Sequence, residues 1–557
     1  MTAMTYHYAL HGPGNLHVRP DFEGLDYSDG PDAERRIREA VQAAADRSTF
    51  SEELVSAITD WPSEYHLSRQ RHCLVRPLGI SAGDRVLELG CGCGAITRYL
   101  GELGAYVVGV EGALARARIA AERCRDLSNV TIFAENLTQY TTGERFDWVL
   151  LVGVLEYAPL FAPGDEPLLD YLRCARAFLA PEGRLVVAIE NKLGLKYFNG
   201  SAEDHLGIPF LGLQGLYRRD TPYTPGRREL EELLRAAGFA HIAFHYPFPD
   251  YKLPRVILSA CGLSEPDFRA WDLLALTHAR DYSGVGRCRF DEPLVQREAA
   301  RNGLLGDLSN SLMAVAAHTP KEPRSGGEPA RLLASSFSVQ RVAGLAMETR
   351  IVKGPESISV VKIAASPGGC RTVQLAGGRV LENVAADSRY VPGELVLWRL
   401  WAARARGGGL AEIVEALAPW FGFLMTWAAP AGVTDLAKLK LPRDFLDLTP
   451  FNLIEVDGRL EPIDQEWVLD DDVPLGWVVI RSLLGTLWGV PGFEHEPVDL
   501  VDIMHALCAR HGVGRAATVD IETWLACERD LQAAVGLSGL PELTLPLTSR
   551  AVLAPGP

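Results

Sequence analysis

Glu88, Gly90, Gly92 and Gly94 stand at alternate positions in Val86-Leu-Glu-Leu-Gly-Cys-Gly-Cys-Gly94, and an isolated Glu111 closes the apolar run Tyr106-Val-Val-Gly-Val-Glu111. Glycines at such a turn let the backbone approach a ligand closely, because no Cβ stands in the way. An acid at the end of a following strand accepts hydrogen bonds from ribose hydroxyls. A second concentration of reactive groups runs from Glu190 to Arg228, with Lys192, Lys196, Tyr197, Asp204 and His205 close together and Arg218, Arg219, Arg227 and Arg228 behind them. A histidine beside an acid can take a proton from a hydroxyl, and arginines can hold an anion. A third group, Asp447, Asn452 and Asp464, lies far along the chain.

These residues need elements to position them. Val86–Leu89 reads as a short buried strand, Ala95–Gly101 as a helix and Tyr106–Glu111 as a second strand, the strand–turn–helix–strand unit of a parallel α/β sheet. The alternation continues. A third strand runs from Asn129 to Ala134 and ends at Glu135-Asn136-Leu137. A fourth starts at Phe146 and runs into Gly153 and Glu156-Tyr157. A fifth, Leu185–Ile189, ends at Glu190-Asn191, and a sixth covers His241–Pro247. Ligands of open parallel sheets sit at the carboxyl ends of the strands, and five successive ends here carry polar groups. The segment Trp61-Pro-Ser-Glu-Tyr65-His66-Leu-Ser-Arg69 just before the first strand is expected to be helical, with Tyr65, His66 and Arg69 placed to cover a bound cofactor.

Two cofactors suit the glycine turn. As Gly90-x-Gly92-x-x-Ala95 it matches the dinucleotide fingerprint in its Ala-ending form, which would make the chain an NAD-dependent oxidoreductase. As Glu88-x-Gly90-x-Gly92-x-Gly94 it resembles the first motif of class I S-adenosylmethionine (SAM) methyltransferases. A carboxylate at position 88 would attract the cationic methionine end of SAM and repel a pyrophosphate. Together with Val-Gly-Val-Glu111, Glu135-Asn136-Leu137, Phe146-Asp147…Glu156-Tyr157 and Leu179-Ala-Pro-Glu-Gly-Arg-Leu185, the order of motifs over about residues 60–250 is similar to that family. The resemblance implies a Rossmann-like sheet of seven mostly parallel strands, the last antiparallel, for which Ser309-Asn-Ser-Leu-Met-Ala-Val-Ala-Ala317 is the candidate. It implies SAM held by Glu88, Gly90, Cys91, Gly92, Gly94, Glu111, Glu135, Asn136, Leu137 and Gly153, under Tyr65 and Arg69. His205, Glu156 and Tyr157 are then the catalytic candidates. Asn136 stands where the family often has Asp, and its carbonyl still accepts from an amine.

In the C-terminal part, Asp457-Gly458 is a type I′ turn signal between two short strands. Pairing from that turn puts Val456 opposite Arg459 and Asn452 opposite Ile463, so Asn452 and Asp464 meet at the open end of one hairpin. Two metal ligands beside a carboxylate suit phosphoryl transfer. Asp447-Leu-Thr-Pro-Phe-Asn452…Asp464 resembles the catalytic loop and metal site of protein-kinase-like and aminoglycoside-phosphotransferase-like folds. That resemblance implies ATP and Mg2+, with Asp447 orienting a hydroxyl, Asn452 and Asp464 holding the metal, and Lys362 of Ser359-Val-Val-Lys-Ile on the phosphates. The departures are Phe445 where those families have His, Gln465-Glu466 where they have Phe-Gly, and no glycine-rich loop before Lys362; a domain that binds or scaffolds without catalysis is the other reading. A methyltransferase joined to an α+β kinase-like domain distantly resembles the bifunctional enzymes that terminate O-antigen chains. This implies a glycan or glycolipid acceptor and peripheral association with glycan-assembly enzymes. A natural-product O- or N-methyltransferase is the alternative.

The expected domains are an N-terminal arm and helices (1–60), a methyltransferase domain (61–318) with an insertion at about 248–308, a linker (319–330) and a kinase-like domain (331–557). The chain of 557 residues is 47% hydrophobic and 23% charged, an ordinary globular composition. A net charge of −16 argues against nucleic acid as the main partner. Ten scattered cysteines lack zinc-site spacing and are expected to be reduced. With no signal pattern and no apolar run long enough to span a bilayer, a cytoplasmic location is expected.

Overall fold

The computed structural model describes residues 8–536 apart from 12–13, 163, 283–288, 320–330, 367–370, 429–431 and 491–497. All but Thr319 of the linker expected at 319–330, and the tail beyond 536, lie outside the described residues. The chain divides into two compact units: unit 1 is Met1–Glu265 with His278–Phe337, and unit 2 is Pro266–Thr277 with Ser338–Pro557.

Unit 1 is built on a mixed, mostly parallel sheet. Its strands are β1 (Ala9–Leu10), β2 (Leu16–Val18), β3 (Arg85–Leu89), β4 (Tyr106–Glu111), β5 (Val130–Ala134), β6 (Phe146–Val152), β7 (Leu179–Glu190), β8 (His241–Phe248), β9 (Val256–Ser259), β10 (Ser311–Ala317) and β11 (Arg331–Ser338). They lie in the order β1-β2-β5-β4-β3-β6-β7-β10-β8-β9-β11. Pairing from β2 to β7 is parallel. β10 runs antiparallel between β7 and β8, with Met313 opposite both Ala188 and His245. The central strands are apolar on both faces because helices cover both: Val149 and Leu150 on β6 and Leu185–Ile189 on β7 are wholly buried. Each of the Val, Leu and Ile side chains among them contributes roughly 1.5–3 kcal/mol.

The first 60 residues, expected as an arm and helices, contain a strand pair as well as helices. β2 adds to the free edge of β5, and the helix Pro31–Ala43 buries Ile37 and Val41 against Leu54, Leu67, Cys93 and Ile119. The helix Trp61–Leu67 forms as its sequence predicts, opened by a capping box between Asp60 and Ser63. The insertion also differs from expectation. Within it β9 extends the sheet, while Pro266–Thr277 belongs to unit 2, where Asp272 accepts from the Trp398 indole at 2.6 Å and the Ala275 carbonyl from that of Trp401 at 2.9 Å. β11, expected in the second domain, pairs with β9.

Unit 2 has an antiparallel pair, Met347–Lys353 with Ile358–Ala364, a hairpin of Leu453–Val456 with Arg459–Pro462, and five helices of nine or more residues among those described. Its core includes the indoles of Trp398, Trp401, Trp420, Trp467, Trp477 and Trp524, all buried. The buried N–H of Trp420 donates to the Leu448 carbonyl (2.8 Å) and that of Trp477 to Glu528 (2.9 Å), which removes the cost of burying them unpaired.

Candidate functional site

The turn after β3 holds three glycines with positive φ, 81° at Gly90, 55° at Gly92 and 77° at Gly94. Two also lack room for a side chain: a Cβ on Gly90 would stand 2.4 Å from Cγ2 of Val154, and one on Gly94 would stand 3.0 Å from the Ala120 backbone. Glu111 at the end of β4 is buried and ties the turn to its own strand, accepting the Gly92 N–H at 2.7 Å and the Ala113 N–H at 2.8 Å. Burial raises its pKa, opposed by Arg116 and by these two N–H groups.

Gly90, Gly92 and Glu111 line one end of a cavity of about 270 Å³ at the carboxyl ends of β3, β4 and β6. Tyr65, Leu137 and Gly153 line it too, and at its other end so do Glu156, Tyr157 and His205. With His66 and Asp204, which also line it, the structure thus brings together eleven of the residues singled out in the N-terminal half. Six others expected to hold the cofactor do not line it, each for a visible reason. Glu88 turns toward the following helix, where the Thr97 hydroxyl donates to it at 2.5 Å; burial pushes its pKa up to about 8. Cys91 packs its sulfur against Gly109, and Gly94 faces Ala120. Arg69 is buried against Glu52 (2.6 Å). Glu135 accepts from Tyr8 (3.3 Å) and pairs with Arg19 (3.2 Å), and the Asn136 side chain caps its own loop by accepting from Thr138. The four arginines expected to hold an anion are used in pairs with Asp220, Asp165, Asp307 and Glu232 instead.

The far end of the cavity is a buried charge cluster. His205 Nδ1 lies 3.0 Å from Glu203, and its Nε2 faces Glu156 at 3.7 Å and Glu190 at 3.9 Å. Lys252 pairs with Glu190 and, at 2.5 Å, with Asp204, which also holds Lys196 at 2.8 Å. Burial disfavours the imidazolium, but the neighbouring carboxylates of Glu190, Glu156 and Glu203, the last accepting from Nδ1, outweigh it and hold the His205 pKa well above the ordinary value. Tyr27 donates its hydroxyl to that of Tyr157 at 3.0 Å, and Tyr27 and Asp29 bring the N-terminal segment over the cavity. Arg116 lies 4.5 Å from the centre of the Tyr27 ring and also pairs with Asp29.

Sequence reasoning missed Tyr27, Asp29, Glu203, Tyr251, Lys252 and Tyr282. Glu203 was readable as the next acid beside Asp204-His205. The others sit in segments without a period, and nothing local marks them.

In unit 2 the hairpin register has Val456 opposite Arg459, and Ile463 donates to the Asn452 carbonyl at 2.9 Å. Asp457 and Gly458 both have positive φ, 49° and 75°. Lys362 forms an ion pair with Asp464. Asn452 donates to Asp447 at 3.3 Å, and Asp447 also pairs with Arg481 at 2.9 Å. Burial raises the Asp447 pKa, with Arg481 opposing it. Between Lys362 and Tyr390 the described residues form strands, so a carboxylate near the hairpin, and no helical Glu, meets Lys362.

Comparison with known proteins fits the geometry of unit 1. Residues 87–185 match the family model described as "Methyltransferase domain". The demethylmenaquinone methyltransferase of Tropheryma whipplei is 32% identical over 117 residues, 21% of this chain and 46% of that protein. The ubiquinone biosynthesis O-methyltransferase of Azorhizobium caulinodans is 32% identical over 181 residues, 30% of this chain and 66% of that protein. The chain therefore spans between about half and two thirds of these relatives' length. A phosphoethanolamine N-methyltransferase of Haemonchus contortus is 16% identical, with a TM-score of 0.28 over 45% of this chain and 53% of that one, a likeness that bears on neither fold nor activity. With this sheet order, the matched segment is a class I SAM-dependent methyltransferase domain of Rossmann-like fold. No described helix is long and apolar enough to cross a membrane.

Proposed function

We propose that unit 1 binds SAM along Gly90, Gly92 and Glu111 and transfers its methyl group to an oxygen of a small polar acceptor, a glycan, a glycolipid or a phosphate carried on one. The observation that carries this reading is a single cavity lined at one end by the glycine turn and Glu111 and at the other by Glu156, Tyr157 and His205. Glu111 would exchange its hold on the Gly92 N–H for the ribose hydroxyls. SAM supplies a methyl group already activated by the sulfonium, so the enzyme's task is alignment. The acceptor oxygen forms the new C–O bond as the S–C bond breaks and the sulfonium becomes a neutral thioether. The proton of a hydroxyl acceptor passes to the carboxylate–imidazole cluster, whereas a phosphate needs no base. Tyr27, Trp61, Tyr65, Tyr251 and Tyr282 on the cavity wall favour an acceptor with a ring to stack; a ring-shaped natural product fits the same wall.

Unit 2 is read as a kinase-like domain that phosphorylates the same acceptor with ATP and Mg2+, through Asp447, Asn452, Asp464 and Lys362. The Lys362–Asp464 pair and the Asn452–Asp447 contact support that reading. The Arg481–Asp447 pair favours a binding or scaffolding role. A cytoplasmic enzyme working beside glycan-assembly proteins accords with both.

Titration calorimetry of the full chain with SAM and, separately, with NAD tests the first unit. SAM heat that falls at least tenfold in affinity in Glu111→Ala is expected; heat with NAD and none with SAM overturns the assignment.

A further inference from the structure

The carboxylate–imidazole cluster has a geometry beyond that of a proton acceptor. Both ligand-bearing ends of the parallel sheet contribute: Glu156 follows β6, Glu190 ends β7, and the loop after it carries His205. One donor atom from each lies within 4.8 Å of the others. The separations from His205 Nε2, 3.7 Å to Glu156 and 3.9 Å to Glu190, are too long for hydrogen bonds. They suit atoms that share a central ion at about 2.1 Å from each.

The rest of the cluster orients these donors. Glu203 lies 3.0 Å from His205 Nδ1, so it accepts the proton there and leaves Nε2, facing the two carboxylates, as the nitrogen that can exchange its proton for a cation. Glu203 is itself fixed by the N–H groups of His205 (2.9 Å) and Leu206 (2.7 Å). A carboxylate behind a ligating imidazole is the usual outer partner of a metal-bound histidine. Lys252 takes one oxygen of Glu190, Oε1, and leaves Oε2 toward the imidazole. Glu156 is 1% exposed and lines the cavity; its Oε1 faces His205 and accepts from the Tyr251 hydroxyl at 3.5 Å, and its Oε2 has no hydrogen-bond partner among the described residues. A buried carboxylate oxygen without a partner is costly unless a ligand satisfies it.

Charge counts the same way. A bound dication would displace the second ring proton that the carboxylates otherwise hold on His205; with the ring neutral in that way, the carboxylates of Glu156, Glu190, Glu203 and Asp204 face the ammonium groups of Lys196 and Lys252. Two negative charges are left over in a buried place, which one dication neutralises.

We propose that His205 Nε2 and one oxygen each of Glu156 and Glu190 form a binding site for one divalent cation. The three donors leave further coordination positions open toward the cavity. An imidazole with two carboxylates is a ligand set for Mn2+ or Zn2+ more than for the oxygen-only ions. Its use in catalysis rests on the methyl-transfer reading: the ion would bind the acceptor's hydroxyl oxygen, make its proton easier to lose to the non-ligating oxygen of Glu156, and fix the oxygen for in-line attack on the methyl carbon as the S–C bond breaks. The acceptor class is then one whose reacting hydroxyl can ligate a metal, with a second oxygen nearby to occupy another position.

The test is direct Mn2+ binding to the chelator-treated full chain, read by the loss of the free-ion electron paramagnetic resonance signal. One ion per chain is expected, with Zn2+ competing for it. Glu156→Gln and His205→Ala each weaken binding at least tenfold, and Glu203→Gln weakens it about tenfold although it touches no ion. Glu111→Ala leaves Mn2+ binding unchanged while SAM affinity falls, which separates this site from the SAM assignment. Absence of Mn2+ binding to the unaltered chain, or binding that persists in Glu156→Gln/His205→Ala, overturns the proposal. Circular dichroism melting of each variant reports whether it is folded.

Discussion

Replacing Glu88 by Gln gives a sharp measurement, because the side chain has two incompatible descriptions. A carboxylate two residues before the glycine turn could attract a bound sulfonium; the same carboxylate, buried against Thr97 at 2.5 Å, has its pKa pushed up to about 8 and is mostly protonated at neutral pH. In the second case the unfolded chain releases the proton near 4.5 while the folded chain keeps it to about 8. Stability is then fully present below pH 4.5 and falls as pH rises toward 8. The slope is about 1.4 kcal/mol per pH unit, so about 5 kcal/mol is lost across that window. Gln has the shape of the protonated acid and nothing to titrate. Urea denaturation followed by circular dichroism at pH 5, 7 and 9 is expected to show Glu88→Gln close to the unaltered chain at pH 5 and more stable than it by several kcal/mol at pH 9. SAM affinity at pH 7 is expected to be unchanged within about twofold. Equal pH dependence in the two proteins, or a tenfold fall in SAM affinity, would refute the buried neutral acid.

Three further outcomes are expected. Gly90→Ala abolishes SAM binding by calorimetry, since its Cβ would meet Val154 at 2.4 Å with φ at 81°, and retained micromolar binding would contradict the turn's role. Tyr27→Phe removes the 3.0 Å hydroxyl contact with Tyr157 and raises KM for the acceptor a few-fold with little change in SAM affinity, as steady-state kinetics will show. Asp464→Ala removes the partner of Lys362 and at least tenfold of any Mg2+-dependent ATP affinity of the full chain; affinity that survives it shows that the hairpin does not hold the metal.

The parts legible in the sequence are those made by contiguous residues. The glycine turn, Glu111 and the Asp457-Gly458 hairpin each follow from a local pattern, because turn geometry and strand period act over a few residues. β10 was readable as an apolar run though not its partners. Side-chain direction was less legible. Glu88 lies on the face of β3 that looks at the next helix, and strand alternation alone does not say which face holds a ligand. Arg69, Glu135 and Asn136 have the right position along the chain, yet each is satisfied by a neighbour closer than the cavity. Tyr27, Lys252 and Tyr282 come from segments whose conformation depends on the sheet they lie against, so no local signal marks them.

The placement of β10 has a consequence for how unit 1 is made. Ser311–Ala317 fills the slot between β7 and β8, so until it emerges from the ribosome both neighbours present open backbone edges. A polypeptide ending near residue 260 would already contain the glycine turn, Glu111 and His205, yet would hold two such edges ready to pair with other chains. Soluble expression of a minimal catalytic fragment therefore has to extend past Ala317, and shorter fragments are expected in inclusion bodies.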